Sequence, residues 1–377
     1  MNMVKLKPFK NPIFVTRPLL PDLDKVTNKL QEIWSAKWLT NMGVQHNELE
    51  KKLQQHLKAN NVSLFNNGTI ALITACKGLN LTGEVITTPF TFAATPHALT
   101  WANLSPVFCD IDPITMNIDA NKIEALITSK TTAIMPVHVF GIPCDVLGIE
   151  KIAIKHKLKV IYDAAHAFGV ELNGVGLGNY GDISMLSFHA TKLFHTAEGG
   201  ALIFKDDSLR NELYLLKNFG IKNEEEVVVP GINGKMNEIQ AAIGLTVLDL
   251  VEEEVNKRKT LIQTYRRCLK DISGITFLEE LPGVKSNYQY FSIRINKDLF
   301  GESRDYIYEK LKEYNVFARK YFYPLCSNYP CYQNLPSSNP KNLPVANRVV
   351  KEVLSMPLYG ELTVEDIEII CIIIKNL

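Results

Sequence analysis

The spacing of apolar residues changes along the chain. A proline-studded opening, with Pro8, Pro12, Pro18 and Pro21, reads as extended. From Leu20 to Ala36 the apolar positions Leu23, Val26, Leu30, Ile33 and Trp34 recur at helical spacing, and helix resumes through Leu49, Leu53 and Leu57 after a break at Trp38 to Gly43. From Ser63 onward, short apolar runs alternate with helical stretches. The runs at 63–65, 85–87, 107–109, 133–139, 160–162, 184–188 and 201–204 predict strands, and the stretches 70–79, 93–102, 121–127 and 145–156 predict helices between them. This alternation predicts an α/β fold with a mainly parallel sheet covered on both faces. In such a sheet the ligand lies at the C-terminal ends of the strands.

After helices at 209–217 and 236–250 the pattern turns to α+β. It predicts a helix at 255–269, a strand at 288–295, a helix at 304–314 and a strand at 316–319. A proline-rich loop from 323 to 344 precedes the last helices, and IEIICIII at 367–374 reads as a packed terminal element. The expected division is a large α/β domain with an N-terminal extension, residues 1–250, and a smaller α+β domain, residues 251–377. A chain of 377 residues is longer than one core usually organises, which agrees with two domains.

A formal net charge of +1 gives no general basic field for nucleic acid, so an anionic ligand must be held by a local site. Seven scattered cysteines without a CxxC pair point to reduced thiols in a cytoplasmic protein. No apolar run reaches the roughly 18 residues of a membrane span. The N-terminus lacks the apolar core of a signal peptide.

The stretch from Asp163 to Gly200 carries the chemistry. Asp163 ends one predicted strand, and Lys192 lies just beyond another. A lysine amine can hold an aldehyde cofactor as a Schiff base. Pyridoxal phosphate also needs a carboxylate against its ring nitrogen to keep the ring an electron sink. Asp163 and Lys192 suit those two roles, and Ser187 can donate to the phosphate. Taken singly, the aspartate reads as a helix cap and the lysine as a solvated side chain. Gly68 and Thr69 sit where a strand turns into a helix, so their N–H groups and the Thr69 hydroxyl face an anion or form an ordinary N-cap. Two motifs lack the context their chemistry needs. Gly174-Val-Gly176-Leu-Gly178 precedes a strand rather than joining strand to helix, and His138, His156 and His195 have no metal-ligand spacing, so no metal is expected.

The motifs DAAHAFG (163–169), SFHATK (187–192) and EGGAL (198–202) occur together and in order. They resemble those of the DegT/DnrJ/EryC1/StrS sugar-nucleotide aminotransferases, and the resemblance covers nearly the whole chain. It implies the large domain of fold-type I pyridoxal-phosphate enzymes. It further implies amination at C4 of a nucleotide-linked 4-keto-6-deoxyhexose, with glutamate as donor, for a surface-polysaccharide sugar.

The family pattern places the phosphate at Gly68, Thr69 and Ser187. It puts Phe92 of TPFTF on the ring in preference to Phe90, and His166 beside the cofactor. In GINGKMNEIQAAIG (231–244), the resemblance implies that Asn233 reaches the partner subunit's cofactor phosphate in a homodimer. Gly234-Lys235 departs from the Tyr-Arg found in many relatives. His189 contacts substrate or supports the lysine loop, and Arg319, Tyr321 and Tyr323 form a substrate-side cluster although the familiar histidine there is absent. Three rival readings are weaker. A C3 dehydratase would carry histidine in place of Lys192. A C3 aminotransferase would read SFYPGK with a GDGG-like ending. A non-catalytic sugar-nucleotide regulator would not need both Asp163 and Lys192.

Overall fold

The computed structural model describes residues 7–377. Of the extended N-terminal stretch, residues 1–6 lie outside the described residues. The centre is a seven-stranded sheet. Its strands, numbered in chain order, are β1 (Asn61–Phe65), β2 (Glu84–Thr87), β3 (Ser105–Phe108), β4 (Thr131–Met135), β5 (Lys159–Asp163), β6 (Ile183–Ser187) and β7 (Gly200–Phe204). Their order across the sheet is β1-β7-β6-β5-β4-β2-β3. Only β7 runs antiparallel to its neighbours.

Alternate residues of the central strands enter opposite cores, as the two-residue strand period requires. Leu64, Leu186, Ala201 and Ile203 pack under helices Val44–His56 and Glu238–Leu248. Phe65, Met185, Leu202 and Phe204 pack under helices Gly68–Gly78 and Leu209–Lys217. With both faces covered, the strands read as continuous apolar runs. The expected strand over 133–139 stops at Met135 because Pro136 follows, although Val137 still bridges to Asp163. The glycine-rich stretch at 174–178 belongs to a hairpin between Glu171–Leu172 and Val175–Gly176. Asn173 and Gly174 form its two-residue turn, both at positive φ.

The C-terminal part builds its own core around a three-stranded sheet of Ile275–Phe277, Phe291–Ile295 and Val353–Met356, covered by helices Val251–Leu269 and Val364–Lys375. The last of these strands follows helix Pro344–Glu352 directly and was expected to be helical. The chain start joins this unit, because Ile13–Phe14 pairs in parallel with Val316–Phe317. A further core is shared: Phe90, Phe108, Val137 and Phe140 pack with Phe322, Leu325, Val349 and Val350.

Asp110, just past β3, locks this junction. Its buried carboxylate accepts from the Val345 and Ala346 N–H groups at 3.1 and 2.8 Å and from Lys122 Nζ at 2.9 Å. It thereby caps the start of helix Pro344–Glu352 from the other unit. Asp110→Ala leaves two N–H groups and an ammonium without their acceptor. It should cost about 2–3 kcal/mol, read as a lowered urea midpoint. A midpoint within error of wild type would remove this lock from the account.

Candidate active site

The cleft opens at the C-terminal ends of β1, β5 and β6. Strand register sets its floor. Gly200 pairs with Ser187 on one side and Phe65 on the other, which puts the end of β6 beside the turn leaving β1. A Cβ on Gly200 would lie 2.7 Å from the Gly68 nitrogen, so glycine is required for the helix start to sit this close to β7. Gly68 in turn lies against Ser187: an added Cβ would be 3.3 Å from the Ser187 Cβ. Asn67 caps the helix by accepting from Ile70 N–H at 2.8 Å. Among the described residues, the Gly68 and Thr69 N–H groups donate to no protein acceptor. Two free donors at a helix N-terminus therefore lie beside Ser187, which suits a phosphate.

Asp163 ends β5 and is 4% exposed. Burial pushes its carboxyl above the ordinary aspartate value, and donors oppose that shift. Thr95 Oγ1 donates to Oδ2 at 2.7 Å, and Ala165 N–H donates to Oδ1 at 3.1 Å. Thr91 stands behind Thr95, with 2.8 Å between the hydroxyl oxygens.

Lys192 lies in the loop between β6 and β7, half-buried, with its N–H donating to His189 O at 2.8 Å. Burial lowers its amine to about 8, against the pull of Asp163. Its Nζ lies 5.9 Å from the centre of the Tyr290 ring. Tyr290 packs edge-on against His166 with ring centres 4.9 Å apart.

His166 is buried between Tyr290 and Phe322. Phe140 N–H donates to its Nδ1 at 3.1 Å, which leaves the hydrogen on Nε2. Burial and the Lys192 charge hold the ring well below the usual histidine value, so it stays neutral. Phe90 is fully buried against Phe140 and Phe322, whereas Phe92 is 63% exposed and free to meet a ligand.

The other candidates lie further out. His189 turns into its own loop, with Nδ1 2.8 Å from Thr191 Oγ1 and Nε2 3.6 Å from Glu198, an arrangement that supports the lysine loop. Tyr321 packs edge-on against Tyr290 and senses the Lys192 charge, and Arg319 sits over its ring at 5.7 Å. Tyr323 is exposed and faces Arg304 rather than this group. Asn233 is exposed, and its backbone carbonyl accepts from Asn66 Nδ2 at 3.3 Å, beside the phosphate turn of its own chain. The three histidines without metal spacing each serve structure. His138 stacks on Tyr162 at 4.6 Å, His156 pairs with Glu124 at 2.6 Å, and His195 meets Leu19 O at 2.8 Å.

Sequence reasoning missed Thr95 and Tyr290. Thr95 carries no signal in its spacing, since Thr91 lies before the helix that begins at Ala94. Tyr290 carries none, because it reaches the cleft from the other unit.

A carboxylate, an amine of lowered basicity and an open anion cup in one cleft define a site of the aminotransferase class. The pattern of the DegT/DnrJ/EryC1/StrS aminotransferase family matches residues 22–375, and the chain belongs to that family. It is similar to the dTDP-4-amino-4,6-dideoxy-D-glucose transaminase of Escherichia coli, with 49% identity over 93% of this chain and 95% of that one. The Shigella dysenteriae enzyme of the same name is 46% identical over 98% of this chain and all of its own. Among solved structures, DesI in the presence of its TDP-sugar product superposes with a TM-score of 0.94. It is 34% identical and covers 98% of this chain and 94% of its own. These likenesses bear out the fold-type I α/β architecture.

Thr95→Val keeps the side-chain shape and deletes the donor to Asp163. Loss of a bond to the charged form raises the carboxyl's proton affinity further. The acid limb of the pH–rate profile should therefore move to higher pH, and turnover at neutral pH should fall roughly tenfold. An unmoved acid limb would show that Thr95 does not act through Asp163.

Proposed function

We propose that the protein is a pyridoxal-phosphate-dependent aminotransferase. It moves an amino group from glutamate to C4 of a nucleotide-linked 4-keto-6-deoxyhexose, dTDP-4-keto-6-deoxyglucose, in the cytoplasm, for a surface-polysaccharide sugar. The observation that carries this reading is the meeting of Asp163, Lys192 and the unused Gly68–Thr69 donors in one cleft. The kinship with two dTDP-sugar transaminases supports C4 and the nucleotide.

The residues fit the cofactor. Glycine at 68 and 200 lets backbone approach backbone beside the free Gly68 and Thr69 donors. Gly68, Thr69 and Ser187 would hold the phosphate, and Phe92 and His166 would flank the ring. Pyridoxal phosphate would supply an aldehyde for the amino group and an electron-poor ring to take up charge. Asp163, whose carboxyl accepts from Thr95 Oγ1 and Ala165 N–H, would face the ring nitrogen and favour its protonated form. Lys192 would supply the amine that takes the cofactor's aldehyde, and its lowered pKa would suit the free amine to carry a proton near neutral pH. Neutral His166 adds no charge to compete with Asp163. Arg319 and Tyr321, packed beside Tyr290, would meet the substrate.

The test is a product assay on dTDP-4-keto-6-deoxyglucose with glutamate, the amine position being read by NMR. Amine at C4 is expected, and amine at C3 would overturn the assignment. Borohydride should fix a pyridoxyl mass on Lys192 in wild type and not in Lys192→Ala. Asp163→Asn should keep that label while losing turnover by orders of magnitude.

We also infer a homodimer with shared sites. Phe219, Val227, Val228, Ile232 and Ile239 form an exposed apolar group around Asn233, the kind of surface a second copy covers. In a twofold pair each Asn233 then reaches the other subunit's phosphate cup. Heterodimers of Lys192→Ala with Asn233→Ala put both lesions in one site and neither in the other. They should regain about half of wild-type activity per dimer, measured on tag-selected mixed dimers. No recovery would place the Asn233 contact within its own chain.

A further inference from the structure

Lys192 is fastened from outside its own domain. Its loop is irregular and tied by turn bonds of its own, such as Lys192 N–H to His189 O, and the peptides flanking the lysine are gripped in addition by Gln289. The Gln289 carboxamide oxygen accepts from Leu193 N–H at 2.7 Å, and its Nε2 donates to Thr191 O at 3.3 Å. One amide thus spans the residues before and after the lysine, as a neighbouring strand would. Gln289 is 4% exposed; its bond to Leu193 is buried and its bond to Thr191 partly so.

The same segment holds the opposite wall. Asn287 Nδ2 donates to His166 O at 2.9 Å and Phe168 O at 3.0 Å, and Tyr290 lies between His166 and Lys192. Behind Gln289, the buried Arg258 donates to its carbonyl at 3.4 Å. Arg258 is paired with Glu254 at 2.6 Å, and Glu254 also accepts from Gly360 N–H at 2.8 Å.

We propose that Gln289 is a positioning residue for Lys192, and that its two-sided amide sets where the amine stands in the cleft. This rests on Lys192 as the reacting amine. A carboxamide is suited to the task because it both donates and accepts. Glutamate keeps the acceptor for Leu193 but loses the donor for Thr191, and it brings a charge near the amine. Methionine keeps the length and loses both bonds. The charged or titratable groups already facing Lys192 are Asp163, His166, Tyr290 and Tyr321, with His189 and Glu198 on its own loop.

The experiment is competitive labelling of the cofactor-free protein with acetic anhydride across pH, with Lys192 read by peptide mass spectrometry. In wild type, Lys192 should titrate near 8. Gln289→Glu should move that midpoint upward by a unit or more. Gln289→Met should change the labelling rate of Lys192 at least threefold relative to surface lysines in the same sample. In the cofactor-loaded enzyme, both variants should lower kcat tenfold or more and leave KM for the sugar nucleotide within twofold. A folded Gln289→Met protein with wild-type Lys192 labelling and kcat would overturn the proposal. If Gln289→Met does not fold, an unmoved midpoint in Gln289→Glu would do the same. Borohydride labelling of wild type tests Lys192 separately, so failure of the catalytic reading is distinguished from failure of the positioning one.

Discussion

A carboxylate placed inside a protein has to be kept charged, and much of this molecule is arranged around that requirement at Asp163. Burial alone favours the protonated acid, which could not hold a ring nitrogen in its cationic form. The compensation comes from several elements at once. Thr95 arrives on the helix after β2, Ala165 turns its N–H back as β5 ends, and Lys192 brings its charge from the loop after β6. The same burial that loads Asp163 with protons strips them from Lys192 and keeps His166 neutral. One site therefore pushes its acid and its amine in opposite directions while its histidine stays neutral.

The two structural units are not independent carriers of this cleft. They share a core in which Phe90 and Phe140 meet Phe322, and Asp110 caps a helix of the other unit. Asn287, Gln289 and Tyr290 reach across to both walls of the site. Contacts of this density favour small sliding of packed surfaces over wide hinge opening.

Much of the fold was legible because it is written locally. Strands buried on both faces show as unbroken apolar runs, and Asp163 and Lys192 stand at strand ends where a short motif can mark them. The strand Val353–Met356 was not legible, since it continues an amphipathic helix without a turn residue between them. Strand 288–295 was read too long because Asn287 and Gln289 spend their side chains on the other unit before pairing begins at Phe291. Thr95 and Gln289 were invisible as site residues for a related reason. Their meaning lies in partners 68 and 96 residues away, and neither has a spacing that announces it.

The pairing of Ile13–Phe14 with Val316–Phe317 bears on how the chain is made. Ile13–Phe14 waits for a partner about 300 residues later, and long-range pairing of that kind is slow. The large sheet can form meanwhile, since β1 to β7 are complete by Phe204. The lysine loop cannot, because its amide clamp has not yet been synthesised. Synthesis therefore passes through a stage with a finished sheet and a lysine loop that gains its clamp only when Gln289 has been made.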